Sequence, residues 1–180
     1  MSIIFDTSAL LRPRFEAADF TASKWDSAAT KANFANTHCQ FMAAGFKESL
    51  FTKVFYNRLH LTYGHIACYN REGFLSTYFR DLAGKVAFLE HIIRWPCFGD
   101  PAFTYCDVER AVQARLRSCD LLAAYCALRA AEVEGAEREF LWRLQSKYGK
   151  PPGAPETTLI HAGRPPRQPR PPPAEQQTLF

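Results

Sequence analysis

The chain has 180 residues, of which 47% are hydrophobic, and this is enough for one domain with a hydrophobic core. Its 22 Lys and Arg against 18 Asp and Glu leave a formal net charge of +4, too close to balance for a protein that coats nucleic acid. We find no signal peptide and no apolar run that could span a membrane, so we expect a cytoplasmic protein. Its cysteines are then expected to be reduced and mostly buried: Cys39, Cys68, Cys97, Cys106, Cys119 and Cys126.

The start of the chain combines an apolar run with an acidic side chain. Residues 3–10 are Ile-Ile-Phe-Asp-Thr-Ser-Ala-Leu, with Asp6 as the acidic residue. This opening is similar to the first strand of PIN-domain ribonucleases, and the resemblance implies a metal-binding Asp6. A PIN fold also needs alternating strands and helices with further acidic ligands, which the rest of the sequence does not predict. We therefore expect Asp6 to cap a short turn or helix.

Helical periodicity dominates the first half of the chain. A helix is predicted from residue 26 or 27 to residue 45, because its apolar side chains recur every three or four residues. A second helix is predicted over residues 51–64, with residues 66–69 as an extension, before a turn over residues 70–73. A third helix is expected over residues 82–95, since the proline that follows ends it.

The second half of the chain is predicted to be helical as well. Residues 97–105 indicate a loop, and the spacing of Thr104 and Asp107 is that of a capping box at the start of a helix. Ser118 interrupts the apolar pattern, and a last helix is expected to end at Gly149. No period-two alternation indicates a strand. The sequence therefore predicts an all-α fold, a single helical domain of five to six helices.

Two groups of side chains could carry chemistry. His60, His65 and Cys68 lie close in sequence, and imidazole and thiolate are ligands that zinc prefers. A structural zinc site needs four ligands in recognisable pairs, so buried residues on a helix face are the better interpretation. His38 and Cys39 offer a nucleophile pair, but sequence neighbours point to different helix faces. We predict no catalytic residue, no metal ligand and no cofactor.

Basic and aromatic side chains interleave between residues 53 and 80, a composition suited to stacking on bases and pairing with phosphates. A helix with its aromatic side inward and its charges in water gives the same pattern. The candidate nucleic-acid contacts are Tyr56, Arg58, Tyr63, Arg71 and Arg80.

Large apolar side chains are also frequent in residues 94–101, although this segment is predicted to be a loop. It could bind a partner, or Trp95 and Phe98 could pin it to the core. The second interpretation is favoured.

The composition changes after residue 149. Nine of the twelve prolines lie in residues 151–180, and Phe180 is the one Phe, Tyr or Trp residue in that segment. Such a segment cannot build a core, so residues 1–149 are the predicted domain and residues 150–175 a flexible, disordered linker of extended polyproline II character. Residues 167–173, Arg-x-x-Arg-Pro-Pro-Pro, are alternatively a ligand for a proline-binding groove.

The last five residues are Gln176-Gln177-Thr178-Leu179-Phe180. An exposed Leu-Phe pair at a chain end is expected to find a pocket, because each side chain gains roughly 1.5–3 kcal/mol on full burial. The pattern Gln-x-x-Leu-Phe resembles the motif by which bacterial replication and repair proteins dock on the β sliding clamp. The resemblance implies that Gln176 is the polar anchor and that Leu179 and Phe180 fill the apolar groove. The common form has Leu after the Gln, where this chain has Gln177.

These patterns predict a non-enzymatic bacterial accessory protein that docks on the β sliding clamp and acts in DNA replication, repair or the maintenance of a mobile element. The alternatives are a clamp-recruited metal-dependent nuclease and a DNA-binding helical regulator. Three converging carboxylates would favour the nuclease; the candidates are Asp6, Glu48, Asp81, Asp100, Asp107 and Asp120.

Overall fold

The computed structural model describes residues 7–64, 70–95 and 97–149. These ranges contain no strand, which confirms the all-α prediction, and they hold seven α-helices, one more than the upper expectation. The helices are α1 (Ser8–Leu11), α2 (Ala28–Ala43), α3 (Lys53–Thr62), α4 (Arg71–Tyr78), α5 (Leu82–Arg94), α6 (Cys106–Arg117) and α7 (Leu121–Tyr148). Two 3-10 turns, Ala17–Asp19 and Glu48–Leu50, precede α2 and α3. Asp6 and the predicted linker lie outside the described residues.

The boundaries of α2 and α3 follow from local capping. Ser27 Oγ accepts a hydrogen bond from the backbone N–H of Thr30 at 3.2 Å, and Thr52 caps α3 in the same way. At the end of α2, Gly45 adopts a φ of +75°, which a residue without Cβ reaches at no steric cost. The next residue, Phe46, donates its N–H back to the carbonyl of Phe41 at 3.0 Å. The helix predicted up to residue 45 is therefore confirmed.

The turn predicted over residues 70–73 is wrong, because these residues begin α4 instead. Asn70 Oδ1 accepts a hydrogen bond from Gly73 N–H at 2.8 Å, which is an N-cap. Asn favours both turns and N-caps, so its presence does not decide between them. Phe74 and Leu75 decide in favour of a helix, since both are buried in the core.

The capping box predicted for Thr104 and Asp107 is also wrong. Helix α6 begins at Cys106 without a side-chain cap. The carboxylate of Asp107 instead pairs with Lys31 at 3.0 Å and accepts the backbone N–H of Thr21 at 3.0 Å. Tertiary partners more than seventy residues away therefore engage the group that sequence assigned to a local cap.

Phenylalanine rings form the centre of the core between α2, α3, α4 and α5. The ring of Phe41 lies 5.0 Å from those of Phe55 and Phe79, and Phe79 lies 4.9 Å from Phe88. Tilted and edge-to-face pairs at these distances stabilise a core beyond their area burial. Helix α6 packs against α2 and α5 and adds Val108 and Val112 to the same core.

The chain divides into two compact units, residues 1–137 and residues 138–180. In the second unit the described residues are 138–149, the end of α7 and Gly149. The predicted boundary between domain and linker at residue 149 stays a prediction, and α7 does end there as expected, with Gly149 at a φ of +69°. Within the described ranges, no helix is long and apolar enough to cross a membrane.

Candidate functional site

The residues predicted to bind a partner, Gln176, Leu179 and Phe180, lie outside the described residues. Their interaction stays a prediction. The described part of the chain contains other groups of polar and apolar side chains.

The two tyrosines among the candidate nucleic-acid contacts face the core. Tyr63 is fully buried, and its ring lies 5.5 Å from that of His38. Tyr56 is partly buried, with its ring 5.9 Å from Phe51 and 6.0 Å from Phe74. Tyr63 is therefore not on a surface that a base could reach, and nucleic-acid contact by Tyr56 stays a prediction.

The three arginines of that group are not brought together by a shared contact. Arg80 is exposed. Arg71 Nε donates to the carbonyl of Phe51 at 3.3 Å, which ties α4 to the segment before α3. Arg58 donates to the hydroxyl of Tyr105 at 2.9 Å. Nucleic-acid contact by these arginines stays a prediction.

Lys31 is the most completely buried charged residue in the described chain, with no exposed side-chain surface. Its ammonium donates to the carbonyls of Pro101 and Thr104 at 2.7 and 2.9 Å and to Asp107 at 3.0 Å. An ammonium has three protons, and these acceptors satisfy all of them. Lys31 therefore fastens the loop before α6 onto α2 and has no proton free for chemistry.

A second polar group lies beside Lys31. The hydroxyl of Tyr105 donates to Asp26 at 2.8 Å and accepts from Arg58, while Arg58 lies 3.5 Å from the other Asp26 oxygen. Burial first, and then the hydrogen bond to Asp26, raises the pKa of Tyr105 to about 12. Tyr105 is therefore a neutral structural donor that links α3 to the loop preceding α2.

The loop between α5 and α6 is pinned by polar contacts. Gln113 Nε2 lies 2.8 Å from the carbonyls of Ile92 and Trp95, so α6 holds the end of α5 in place. Phe98 is 80% exposed, and the expectation that this ring pins the loop to the core is wrong. The loop is fixed by Lys31 and Gln113 instead, which leaves Trp95, Phe98 and Phe103 exposed.

Exposed apolar side chains gather at the edge of this loop. Trp25, Leu61 and Phe103, here called the Trp25 surface, are all exposed and line one cavity of about 190 Å³. The polar side chains of Asp26 and Tyr105 lie at the same cavity. Exposed apolar groups surrounded by polar ones are typical of protein-binding sites.

Burial shifts the pKa values of titratable groups elsewhere in the direction that favours their neutral forms. Burial lowers the pKa of His38 to about 3, and it raises the pKa of Cys39 to about 11 and that of Cys97 to about 12. Burial also raises the pKa of Glu109. A thiol with a raised pKa is a poor nucleophile, so His38 and Cys39 are core residues in this arrangement.

Within the described ranges, no three His, Cys, Asp or Glu side chains come together as a metal-binding group. His65 and Cys68 of the zinc alternative, and Asp6 of the nuclease alternative, lie outside those ranges. The described cysteines are free thiols, two buried, two half-buried and one exposed: Cys39, Cys106, Cys97, Cys119 and Cys126.

Sequence analysis missed Lys31, although a signal was present. Lys31 lies three residues before Phe34 and seven before His38, which is the spacing of one helix face. A lysine on an apolar face requires buried acceptors, and Asp107 supplies a carboxylate to Lys31. The acceptors contributed by Pro101 and Thr104 are backbone carbonyls and leave no trace in the sequence.

Comparison with known proteins gives no match: no family model, no curated protein and no solved structure is similar to this chain.

Proposed function

We propose that this chain is a cytoplasmic bacterial accessory protein that docks on the β sliding clamp through its last five residues, in DNA replication, repair or mobile-element maintenance. Gln176 anchors the peptide by hydrogen bonds, and Leu179 and Phe180 fill an apolar groove. The observation that carries the proposal is the Gln-x-x-Leu-Phe pattern at the end of a proline-rich segment. That segment begins directly after α7 and Gly149.

The chemistry of the motif suits a recruiting contact of moderate strength. Burial of Leu179 and Phe180 contributes roughly 1.5–3 kcal/mol each, and the hydrogen bonds of Gln176 add about 0.5–1.5 kcal/mol each. Ordering a flexible peptide offsets part of this gain. A weak, reversible contact, with a dissociation constant of about 1 µM or higher, is the expected result.

In this proposal the helical domain, residues 1–149, binds a partner and does not catalyse a reaction. The charged groups at its best-defined polar cluster, Lys31 and Asp107, are engaged by partners within the chain. Beside them the Trp25 surface exposes apolar side chains that a partner could cover. In this proposal the body carries a second contact and the terminal peptide brings it to the clamp.

A pull-down from a bacterial lysate tests the proposal. The full chain is compared with a chain that ends at residue 175, and the eluates are probed for the clamp. The full chain should retain the clamp and the shortened chain should not. Equal amounts of clamp with both baits, or none with either, would contradict the assignment.

A further inference from the structure

The end of α7 carries large apolar side chains that remain in water. From residue 129 to residue 148, every residue of α7 is exposed. Phe140 is 62% and Tyr148 70% exposed, and Leu141 and Leu144 are exposed as well. An isolated helical segment of this length is only marginally stable in water. A surface that covers these side chains would stabilise the helix.

The four side chains lie on one face. Positions 140, 141, 144 and 148 are separated by one, three and four residues, so they fall within about 100° of the helix circumference. We call this face the α7 stripe. Trp142 is 66% exposed but lies on the opposite side of the helix, two residues from Phe140. The chain therefore contains both an apolar face and an equally exposed aromatic residue outside it.

Charges beside the stripe change sign along the helix. Glu139, Arg143 and Lys147 follow one another at intervals of four residues on one flank. Arg143 forms an ion pair with Glu139 of its own helix. A second copy in antiparallel orientation brings each Glu139 near Arg143 of the other copy. In a parallel pair this flank would face the opposite flank of the partner, so Glu139 and Arg143 would not meet.

We propose that two copies of the chain associate through their α7 stripes in antiparallel orientation, with Phe140 packed against Leu144 of the partner subunit. The charge order along the flank points to a second copy as the occupant, because the flank is complementary to itself when one helix is reversed. Burying the stripe of both copies removes roughly 800 Å² of apolar surface from water, which is less than stable specific interfaces bury and suits a weak, reversible dimer. The dimer is therefore of micromolar strength. This inference does not depend on the clamp proposal.

Sedimentation equilibrium of the full chain over a range of concentrations tests the association. The wild type should be a dimer at about 100 µM and dissociate below about 1 µM. Phe140→Glu with Leu144→Glu should weaken the dimer about 100-fold or more, because buried carboxylates would lack partners. Trp142→Glu is the matched control and should leave the dimer intact. A wild-type chain that stays monomeric at 100 µM, or a control variant that dissociates as readily as the stripe variant, would overturn the proposal.

A charge exchange tests the orientation. Arg143→Glu should weaken the dimer about tenfold, since the flank then carries Glu at both 139 and 143. Adding Glu139→Arg restores opposite charges across an antiparallel interface and should recover most of the affinity. A double variant no stronger than Arg143→Glu alone would overturn the antiparallel arrangement.

Discussion

Lys31 joins two distant parts of the chain through one buried charge. Its ammonium is shared among Asp107 and the carbonyls of Pro101 and Thr104. Removing one partner of a buried ion pair leaves the other charge unsatisfied, which costs more than the pair itself contributes. The loop that carries Phe98 and Phe103 should therefore depend on Lys31.

Lys31→Met is expected to lower the free energy of unfolding by about 3–5 kcal/mol, because Asp107 would lose its counter-charge. Urea denaturation followed by circular dichroism measures this. Arg94→Met is the matched control, since Arg94 forms an exposed pair with Glu90 at 3.2 Å that contributes about 0.5 kcal/mol or less. Similar losses in the two variants would contradict a structural role for Lys31.

His38 links stability to pH. Burial lowers its pKa to about 3 in the folded protein, from an ordinary value of 6.5 that applies in the unfolded chain. As the pH falls below 6.5, His38 becomes protonated in the unfolded chain but stays neutral in the folded protein. The stability contributed by neutral His38 is complete above pH 6.5 and is lost progressively as the pH falls towards 3.

His38→Leu should flatten the dependence of unfolding free energy on pH between about 6 and 4. The slope should decrease by on the order of 1 kcal/mol per pH unit, since one proton is no longer linked to unfolding. His60→Leu, at an exposed position, is the control for loss of an imidazole as such. Slopes that decrease equally in both variants would show that burial of His38 is not the cause.

At the scale of elements, two glycines on helices have opposite surroundings. A Cβ on Gly84 would lie 2.4 Å from the carbonyl oxygen of Thr77, so the junction of α4 and α5 requires glycine. A Cβ on Gly135, within α7, would meet no atom within 4 Å. The close backbone contact therefore excludes any side chain at Gly84, whereas Gly135 makes no such contact and only lowers the stability of its helix.

Gly84→Ala is expected to destabilise the fold by about 1–3 kcal/mol, because backbone must move to admit the methyl group. Gly135→Ala should instead stabilise α7 by about 0.5–1 kcal/mol through helix propensity. Thermal unfolding of the two variants measures both effects. A neutral Gly84→Ala would contradict the close packing of α5 on the end of α4.

Helices were predictable where local signals agreed. Helix α2 begins after Ser27 and ends just before Gly45, as the sequence predicts, because capping and apolar periodicity indicate the same limits. Asn70 was assigned to a turn, since a turn and an N-cap use the same side chain. Asp107 was assigned to a helix cap, although its carboxylate forms an ion pair with the buried Lys31. The polar cluster could not be predicted, because it combines residues distant in sequence with backbone carbonyls.

At the scale of the whole molecule, the helical body and the terminal peptide have separate roles in the proposed function. The body is a folded helical unit in which the charged groups around Lys31 are internally paired, and it exposes the Trp25 surface. The motif of residues 176–180 follows a proline-rich segment that sequence predicts to be extended. Clamp binding is therefore expected to depend on the peptide and not on the folding of the body.

Titration of labelled β sliding clamp with the full chain and its variants tests whether the peptide binds the clamp. The wild type should bind with a micromolar Kd, and Leu179→Ala with Phe180→Ala should abolish binding, because the pair contributes about 3–5 kcal/mol. Gln176→Ala should weaken binding by about 2- to 12-fold, whereas the adjacent Gln177→Ala should change it little. No saturable binding by the wild type, or equal binding by the Leu179 and Phe180 double variant, would contradict the account.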